Sequence, residues 1–186
     1  MQADTAFEPL RTKRLLIRRS RPEDAATIAE YRSDPRVHRY QGWERTDADS
    51  IRGEIQEMSR RSPGSPGGWV QFTVVELGGE RMVGDVGLSV AEGEPGVIKI
   101  GYTIEPTFQG RGYATEAVGA LVDYAFDALG AEVVRAYASA ENAPSIRVAE
   151  KVGLRLVERF QGHDGAQRWF GVRYELRRGE RADSDL

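Results

Sequence analysis

Residues 97–115, VIKIGYTIEPTFQGRGYAT, constrain what this chain can fold into more than any other stretch. Val97, Ile98, Ile100, Tyr102 and Ile104 are β-branched, aromatic or apolar in near-alternation, the pattern of a strand. Glu105-Pro106 ends it, because proline has no N–H to give a sheet ladder. Gln109-Gly110-Arg111-Gly112-Tyr113-Ala114 then forms a tight loop. Behind it Ala114, Ala117, Val118, Leu121, Val122, Ala125, Phe126 and Leu129 recur at helical spacing, with Gly130 placed as the C-terminal stop. A strand that passes through a glycine loop into a helix can build an anion site. The first helical turn leaves N–H groups unpaired, its dipole favours negative charge, and glycine lets the backbone approach a ligand closely. Arg111 adds a positive charge at the mouth. A plain turn with two glycines ahead of an ordinary helix would carry the same features.

Three anion-binding patterns compete for this loop. A P-loop requires Lys-Ser/Thr directly after its last glycine, where Tyr113-Ala114 stands, so it is excluded. A dinucleotide fingerprint requires glycine where Thr115 sits. The third pattern, Gln109-x-x-Gly112-x-Ala114, resembles the signature loop (R/Q-x-x-G-x-G/A) of the GNAT superfamily of N-acetyltransferases. The resemblance implies that the amides of Gly110, Arg111, Gly112, Tyr113 and Ala114 hold the pyrophosphate of acetyl-CoA, with Gln109 shaping the turn.

Composition narrows the alternatives. At 186 residues the chain is long enough for one domain with a real core. A net charge of −3, with 30% charged residues of both signs, is not the basic footprint of a general nucleic-acid binder, and no nucleic-acid partner is expected. The absence of cysteine removes disulfides, thiolate metal sites and a cysteine nucleophile. His38 and His163 lie far apart without ligand-like spacing, so no metal is expected. No apolar stretch approaches the roughly 20 residues of a membrane span, and the N-terminus lacks a signal-peptide pattern. A soluble cytoplasmic protein with no membrane partner is the expectation.

Taken in order, Leu10–Arg18 reads as a first strand, whose T-x-R-L-x-I/L-R pattern resembles the opening strand of the Rim-type (ribosomal-protein N-terminal acetyltransferase) branch of that superfamily. Ser20-Arg21-Pro22-Glu23-Asp24 starts a helix running to about Ser33, and Asp34-Pro35 ends it. Residues 37–44 read as a loop whose Tyr40 and Trp43 either line an acceptor pocket or pack on the core. Thr46 or Asp47 caps a second helix to about Arg60. The low-complexity run at 62–68 reads as a surface loop. Trp69–Glu76 and Arg81–Val90 are strands joined at Gly78-Gly79, and a turn at 92–96 leads into the strand at 97. Antiparallel strands ahead of the glycine loop are not what a Rossmann domain supplies.

After the central helix, Glu132–Ala138 is a strand reached through a right-handed crossover, parallel to the central one or next but one. Asn142 then caps a helix with Pro144 in its first turn and Gly153 as its stop. The segment resembles the second GNAT signature, N-x-x-S-x-x-x-x-x-K-x-G-F, with Asn142, Ser145, Lys151 and Gly153 in place and Leu154 instead of phenylalanine. A hairpin, Arg155–Phe160 and Arg168–Leu176 about a turn at 162–165, completes the domain, and residues 177–186 read as a frayed tail.

The resemblance covers residues 10–176 and implies a single-domain α/β (α+β) fold. Its sheet would be mixed, mostly antiparallel and twisted, with about seven strands splayed at the centre and about four flanking helices. It implies that Tyr102, Thr103 and Ile104 bind the pantetheine arm of acetyl-CoA through their backbone, and that Asn142 and Ser145 also contact the cofactor. Transfer of an acetyl group to a primary amine, either a protein N-terminal α-amine or a small molecule, would follow by direct attack in a ternary complex. Ser145 stands where many relatives carry a tyrosine acid. Glu44 is the first candidate base, with Asp85 and Glu105 as alternatives, while Glu116 suits the helix dipole better. Tyr40 and Trp43 would touch the acceptor. A non-catalytic acyl-CoA-binding or sensing protein on the same fold is the rival, and either a monomer or a homodimer is compatible with the sequence.

Overall fold

A computed structural model describes residues 1–41, 47–79, 81–164 and 167–181. Among these residues the chain forms one eight-stranded sheet in the order β1-β2-β3-β4-β5-β6-β8-β7, with helices on both faces. The strands are β1 (Leu10–Arg11), β2 (Leu15–Arg19), β3 (Trp69–Glu76), β4 (Met82–Val90), β5 (Val97–Ile104), β6 (Val133–Ser139), β7 (Arg155–Asp164) and β8 (Gln167–Arg177). The helices are α1 (Ala25–Arg32), α2 (Pro35–His38), α3 (Ala48–Ser59), α4 (Tyr113–Asp127) and α5 (Ala143–Lys151).

The strand beyond the expected seven arises at Thr12. Leu10–Arg18 folds back on itself there, because the Thr12 hydroxyl accepts from the Leu15 amide at 2.9 Å and the Thr12 amide donates to the Leu15 carbonyl at 3.0 Å. The fifth helix arises at Asp34-Pro35, expected to end a helix and lead into a loop. The Asp34 carboxylate accepts from the Arg36 amide at 2.8 Å, and Pro35 takes the first helical position, where a missing N–H costs nothing. The other helix ends follow the local signals: Asp47 caps α3, Asn142 caps α5, and Gly130 and Gly153 leave their helices in the left-handed region. Of the tail, Arg178 donates to the Ala131 carbonyl at 2.9 Å and Arg181 pairs with Asp127 at 3.0 Å.

Alternation along the strands sorts side chains between two faces. Phe72, Val74, Val86, Leu88, Ile98, Ile100 and Val134 point to the back, where Ala117, Val118, Leu121, Val122 and Ala125 of α4 seal the main core. On the front, Ala25, Ile28 and Tyr31 of α1 pack with Ile51 and Ile55 of α3 in a smaller cluster. Each fully buried aliphatic or aromatic side chain contributes about 1.5–3 kcal/mol, so the back core dominates stability.

Among the described residues only β5 and β6 pair in parallel, and their register covers Val97↔Val133 to Ile100↔Ala136. Beyond that rung β6 stays with β8, through Tyr137↔Arg173 to Ser139↔Gly171, while β5 stays with β4 up to Ile104↔Gly84. The sheet therefore opens between Gly101–Ile104 and Tyr137–Ser139. Gly84 lets β4 follow β5 to the end, since a Cβ there would lie 2.2 Å from the Thr103 carbonyl oxygen.

The front helices are also tied to the sheet by a buried polar cluster. The Asp85 carboxylate accepts from the Tyr31 hydroxyl and from Gln71 Nε2 at 2.8 Å, with the Arg32 guanidinium 3.7 Å away. Burial raises the Asp85 carboxyl above its usual range, against the pull of Arg32 and its hydrogen-bond donors, and burial next to Asp85 holds the Tyr31 phenol well above its ordinary value. Removing one donor leaves a buried carboxyl short of a partner. Tyr31→Phe should lower unfolding stability by about 1–3 kcal/mol in urea melts, and an unaltered midpoint would refute this role for the cluster.

Candidate active site

The loop after β5 is built to keep amides free. Gln109 folds back so that its Nε2 donates to the Ile104 carbonyl at 2.8 Å, fixing where the chain leaves the strand. Gly112 is the N-cap of α4 with φ of 82°, and no side chain caps the helix. Three of the other helices start differently: a side-chain oxygen of Asp34, Asp47 or Asn142 accepts a first-turn amide at the start of α2, α3 or α5, whereas α1 continues from the short turn at Pro22–Asp24 without a side-chain cap. At α4 the first-turn N–H groups around Tyr113 and Ala114 face the cleft without such a partner.

The loop is held from behind by residues far away in sequence. Arg14 Nη1 donates to the Arg111 carbonyl at 3.0 Å, and its guanidinium lies 4.6 Å from the Tyr113 ring centroid. Glu116 accepts from the Thr12 hydroxyl at 2.6 Å, the Arg14 amide at 2.8 Å and Arg14 Nε at 2.7 Å. Burial alone would raise its carboxyl, but these hydrogen bonds outweigh burial and hold it below the ordinary value. Glu116 thus anchors the β1–β2 turn to the start of α4, beyond any dipole effect. The Arg111 side chain stacks on Phe108 at 5.3 Å, so its amide rather than its charge is the part built into the loop.

A cleft of about 400 Å³ opens over the loop and the split in the sheet. Tyr102, Thr103, Ile104, Gln109, Gly110, Gly112, Tyr113, Ala114, Asn142 and Ser145 all line it, which brings the sequence-derived cofactor residues other than Arg111 to one surface. Arg36, Arg147 and Lys151 also line it, and no Asp or Glu does among the described residues. Arg36 is already paired with Asp34 at 2.6 Å, which leaves Arg147 and Lys151 as the lining cations suited to a polyphosphate.

Ser145 sits in the first turn of α5. The Asn142 side-chain oxygen accepts from its amide at 3.2 Å, and the Asn142 amide group is left as a donor towards the cleft. The Ser145 hydroxyl is 3.0 Å from the Tyr102 hydroxyl, which donates to the Ser145 carbonyl at 2.8 Å. Burial raises the Tyr102 phenol, and the hydrogen bond from Ser145 works against that shift. The Tyr102 side chain, which the sequence placed in the site only through its backbone, thus fixes the serine. Strand alternation puts Tyr102 on the back face, where α5 packs, but alternation gives the face and not the neighbour.

The remaining sequence candidates fall in different places. Tyr40 and Gln41, just after α2, line the front rim of the cleft, and the Arg39 guanidinium lies 4.6 Å from the Tyr40 ring. Trp43 and Glu44 lie outside the described residues. Glu105 caps the short turn at Pro106–Phe108, accepting from the Thr107 amide at 3.1 Å. Asp85 is sealed beneath Tyr31, Gln71 and Arg32. Among the described residues no cluster of His, Cys, Asp and Glu could hold a metal ion, and no helix is long and apolar enough to cross a membrane.

Comparison with known proteins places this geometry in context. The family model of the acetyltransferase (GNAT) domain matches residues 14–155. The uncharacterized N-acetyltransferase p20 of Bacillus licheniformis is 32% identical over 150 residues, which is 80% of this chain and 83% of that one. The crystal structure of a GNAT-family acetyltransferase from Bacillus anthracis superposes with a TM-score of 0.81 at 27% identity, over 93% of this chain and 100% of that one. RimJ of Mycobacterium smegmatis, solved in complex with CoA-disulfide, shares the fold with a TM-score of 0.77 at 23% identity, covering 93% and 87%.

Two substitutions test the loop. Gly112→Leu forces a branched side chain into left-handed backbone and crowds the amides, and should weaken acetyl-CoA binding at least about tenfold in calorimetric titration. Unchanged affinity would remove the loop from the site. Glu116→Ala should cost about 1.5–3 kcal/mol of unfolding stability near neutral pH. Because the folded-state carboxyl is held low, its contribution is present above the ordinary carboxylate range and fades as the pH falls through the folded-state value. The gap between wild type and variant should close in acid melts, and a gap that widens there would contradict the assignment.

Proposed function

The chain belongs to the acetyltransferase (GNAT) family, and from that premise we propose that it is an acetyl-CoA-dependent N-acetyltransferase whose acceptor is a primary amine. The observation that carries the reading is the cleft itself: uncapped amides at the start of α4, Arg36, Arg147 and Lys151 around it, and no carboxylate among its described lining residues. A pyrophosphate needs donors and positive charge and is repelled by acids. The solved CoA-disulfide complex of RimJ shows that a protein of this fold takes that ligand. A cytoplasmic protein acting as monomer or homodimer is consistent with this reading.

Acetyl-CoA supplies a thioester, and the chain's own residues order the rest. The pyrophosphate rests on the amides from Gly110 to Ala114. The pantetheine arm lies along Tyr102–Ile104, on the edge that β6 has left, and pairs with it as an added strand would. The Asn142 side-chain amide donates to the arm. The thioester then reaches the split, where the acceptor arrives from the front past Tyr40. Nitrogen attacks the carbonyl carbon, and a backbone N–H near Thr103 or Ile104 stabilises the oxyanion. When the C–S bond breaks, the sulfur takes a proton from Ser145 directly or through a water and solvent returns one to the serine, with the Tyr102 hydroxyl holding it in place. The amine's surplus proton leaves to water or to Glu44.

Turnover follows from thiol release with an amine panel, and binding from titration with acetyl-CoA. Ser145→Ala and Tyr102→Phe should each lower kcat by about tenfold or more while the KM for acetyl-CoA changes little. Equal turnover in both variants would remove the pair from the mechanism. Tight binding without thiol release for any amine would point to an acyl-CoA sensor instead.

A further inference from the structure

The front face of the sheet carries a feature that cofactor binding leaves unused. Trp69, Tyr137 and Trp169 are large aromatic side chains that stay 42%, 47% and 43% exposed. They belong to three separate strands, and register places all of them on the same face. The Trp69 ring lies over the backbone of β4 and β5, where Cβ atoms on Gly87 and Gly101 would stand 3.4 Å and 3.5 Å from it. Tyr137 occupies the rung after Ile100↔Ala136, the first position at which β6 has parted from β5. From Tyr137 a chain of edge-on contacts continues to Phe160 at 6.0 Å and from Phe160 to Trp169 at 5.5 Å.

Glycines make this arrangement possible. A Cβ on Gly171 would come within 2.3 Å of the Phe160 ring, and one on Gly162 within 2.4 Å of Trp169. The rings of Phe160 and Trp169 occupy the space that a Cβ at Gly171 or Gly162 would need. Lower on the same face the sheet is closed differently, by Arg135 with Glu94 and Glu175 and by Arg173 with Glu158. Those charges satisfy one another. The aromatic band does not: it leaves ring surface open to solvent, a costly arrangement for a face without a ligand.

The position of the band gives it an occupant. Gly101, on its floor, is two residues before Thr103 on the same face of β5, and Thr103 lines the cleft. The band therefore begins where the thioester meets the acceptor and runs away from it across β6 and β8 to the hairpin. Resting on the acetyl-transfer reading, we infer that the Trp69–Tyr137–Phe160–Trp169 band receives an aromatic ring borne by the acceptor, so that the preferred substrate is a primary amine with an aromatic group close to the nitrogen. Edge-on neighbours leave ring faces free for a further ring, a geometry that favours aromatic over aliphatic groups. Such a ring is offered equally by a free arylalkylamine and by a polypeptide whose first residue is aromatic.

The test compares phenethylamine with butylamine, and a tetrapeptide beginning with phenylalanine with one beginning with alanine, by thiol release. The aromatic member of at least one pair should show about tenfold higher kcat/KM, and the pair that shows it identifies the source. Tyr137→Ala and Trp169→Ala should each bring that ratio towards one, with acetyl-CoA affinity retained as evidence of an intact fold. Turnover without aromatic preference, or a ratio that neither variant alters, overturns the band while leaving acetyl transfer standing. So does sedimentation as a dimer that Trp169→Ala dissociates with no change in the ratio, since the band then holds a second copy of the chain. If no amine is acetylated, titration of the CoA-loaded protein with phenethylamine, followed by tryptophan fluorescence, decides separately. Saturation that butylamine does not reproduce and Tyr137→Ala abolishes supports the band and refutes the transfer reaction. Absence of saturation overturns the band.

Discussion

The rest of the site depends on the point where β5 and β6 stop pairing. Up to Ile100↔Ala136 both strands belong to one continuous sheet, and beyond it each stays with its other neighbour. A twisted sheet stores this divergence readily when the two strands are parallel and joined by a helix instead of a hairpin. β5 then has an edge free over Gly101–Ile104, in the middle of the sheet. An edge of that kind at the rim of a sheet invites aggregation, but here it is walled by α5 and by the loop before α4. It can pair only with something thin enough to enter the split, as an extended pantetheine arm is.

Helix starts then divide the labour. Three of the helices spend a side-chain oxygen on their own first turn, through Asp34, Asp47 and Asn142. α4, the longest of them at 15 residues and the most deeply packed, starts on a glycine that can offer none. A side-chain N-cap is worth about 1 kcal/mol, so leaving it out of the main core helix costs stability. The charged anchor from Glu116 to Thr12 and Arg14 offsets that loss from the opposite side of the helix, where it cannot compete with a ligand for the amides. The helix is thus fixed firmly while its positive end stays open.

Much of this was legible in the sequence. The alternation in 97–104, the loop at 109–114 and the three- and four-residue spacing of 114–129 each specify a local structure with few alternatives, and the crossover rule put β6 parallel to β5 or next but one, of which the structure shows the adjacent pair. The features that were not legible rest on contacts between distant residues. Thr12 turning the first strand back is a side-chain competition with the ladder that strand propensity does not register. Arg14 on the Arg111 carbonyl spans 97 residues of sequence, and Tyr102 on Ser145 spans 43. Tyr102 was readable as a strand residue but not as the partner of a serine on a helix, because alternation gives the face and not the neighbour. The aromatic band was hidden for the same reason: Trp69, Tyr137 and Trp169 are separated by whole elements, and only the register aligns them.

The placement of charge in the molecule constrains how protons can move. Acids are common in this chain, with 29 Asp and Glu, yet none lines the cleft among the described residues. Asp85, the acid nearest the split along β4, has both oxygens engaged by Tyr31 and Gln71, with Arg32 close by. Ionising a carboxyl in such surroundings already costs desolvation, and turning its lone pairs to an incoming amine would break two hydrogen bonds to buried donors. Its role is to hold α1 on the sheet, and with α1 the short α2 that carries Tyr40 to the rim. With the cofactor bound, its phosphates would neutralise Arg147 and Lys151, so those cations give an approaching ammonium little push to shed its proton. Proton removal would then fall to water or to a base outside the described lining of the cleft.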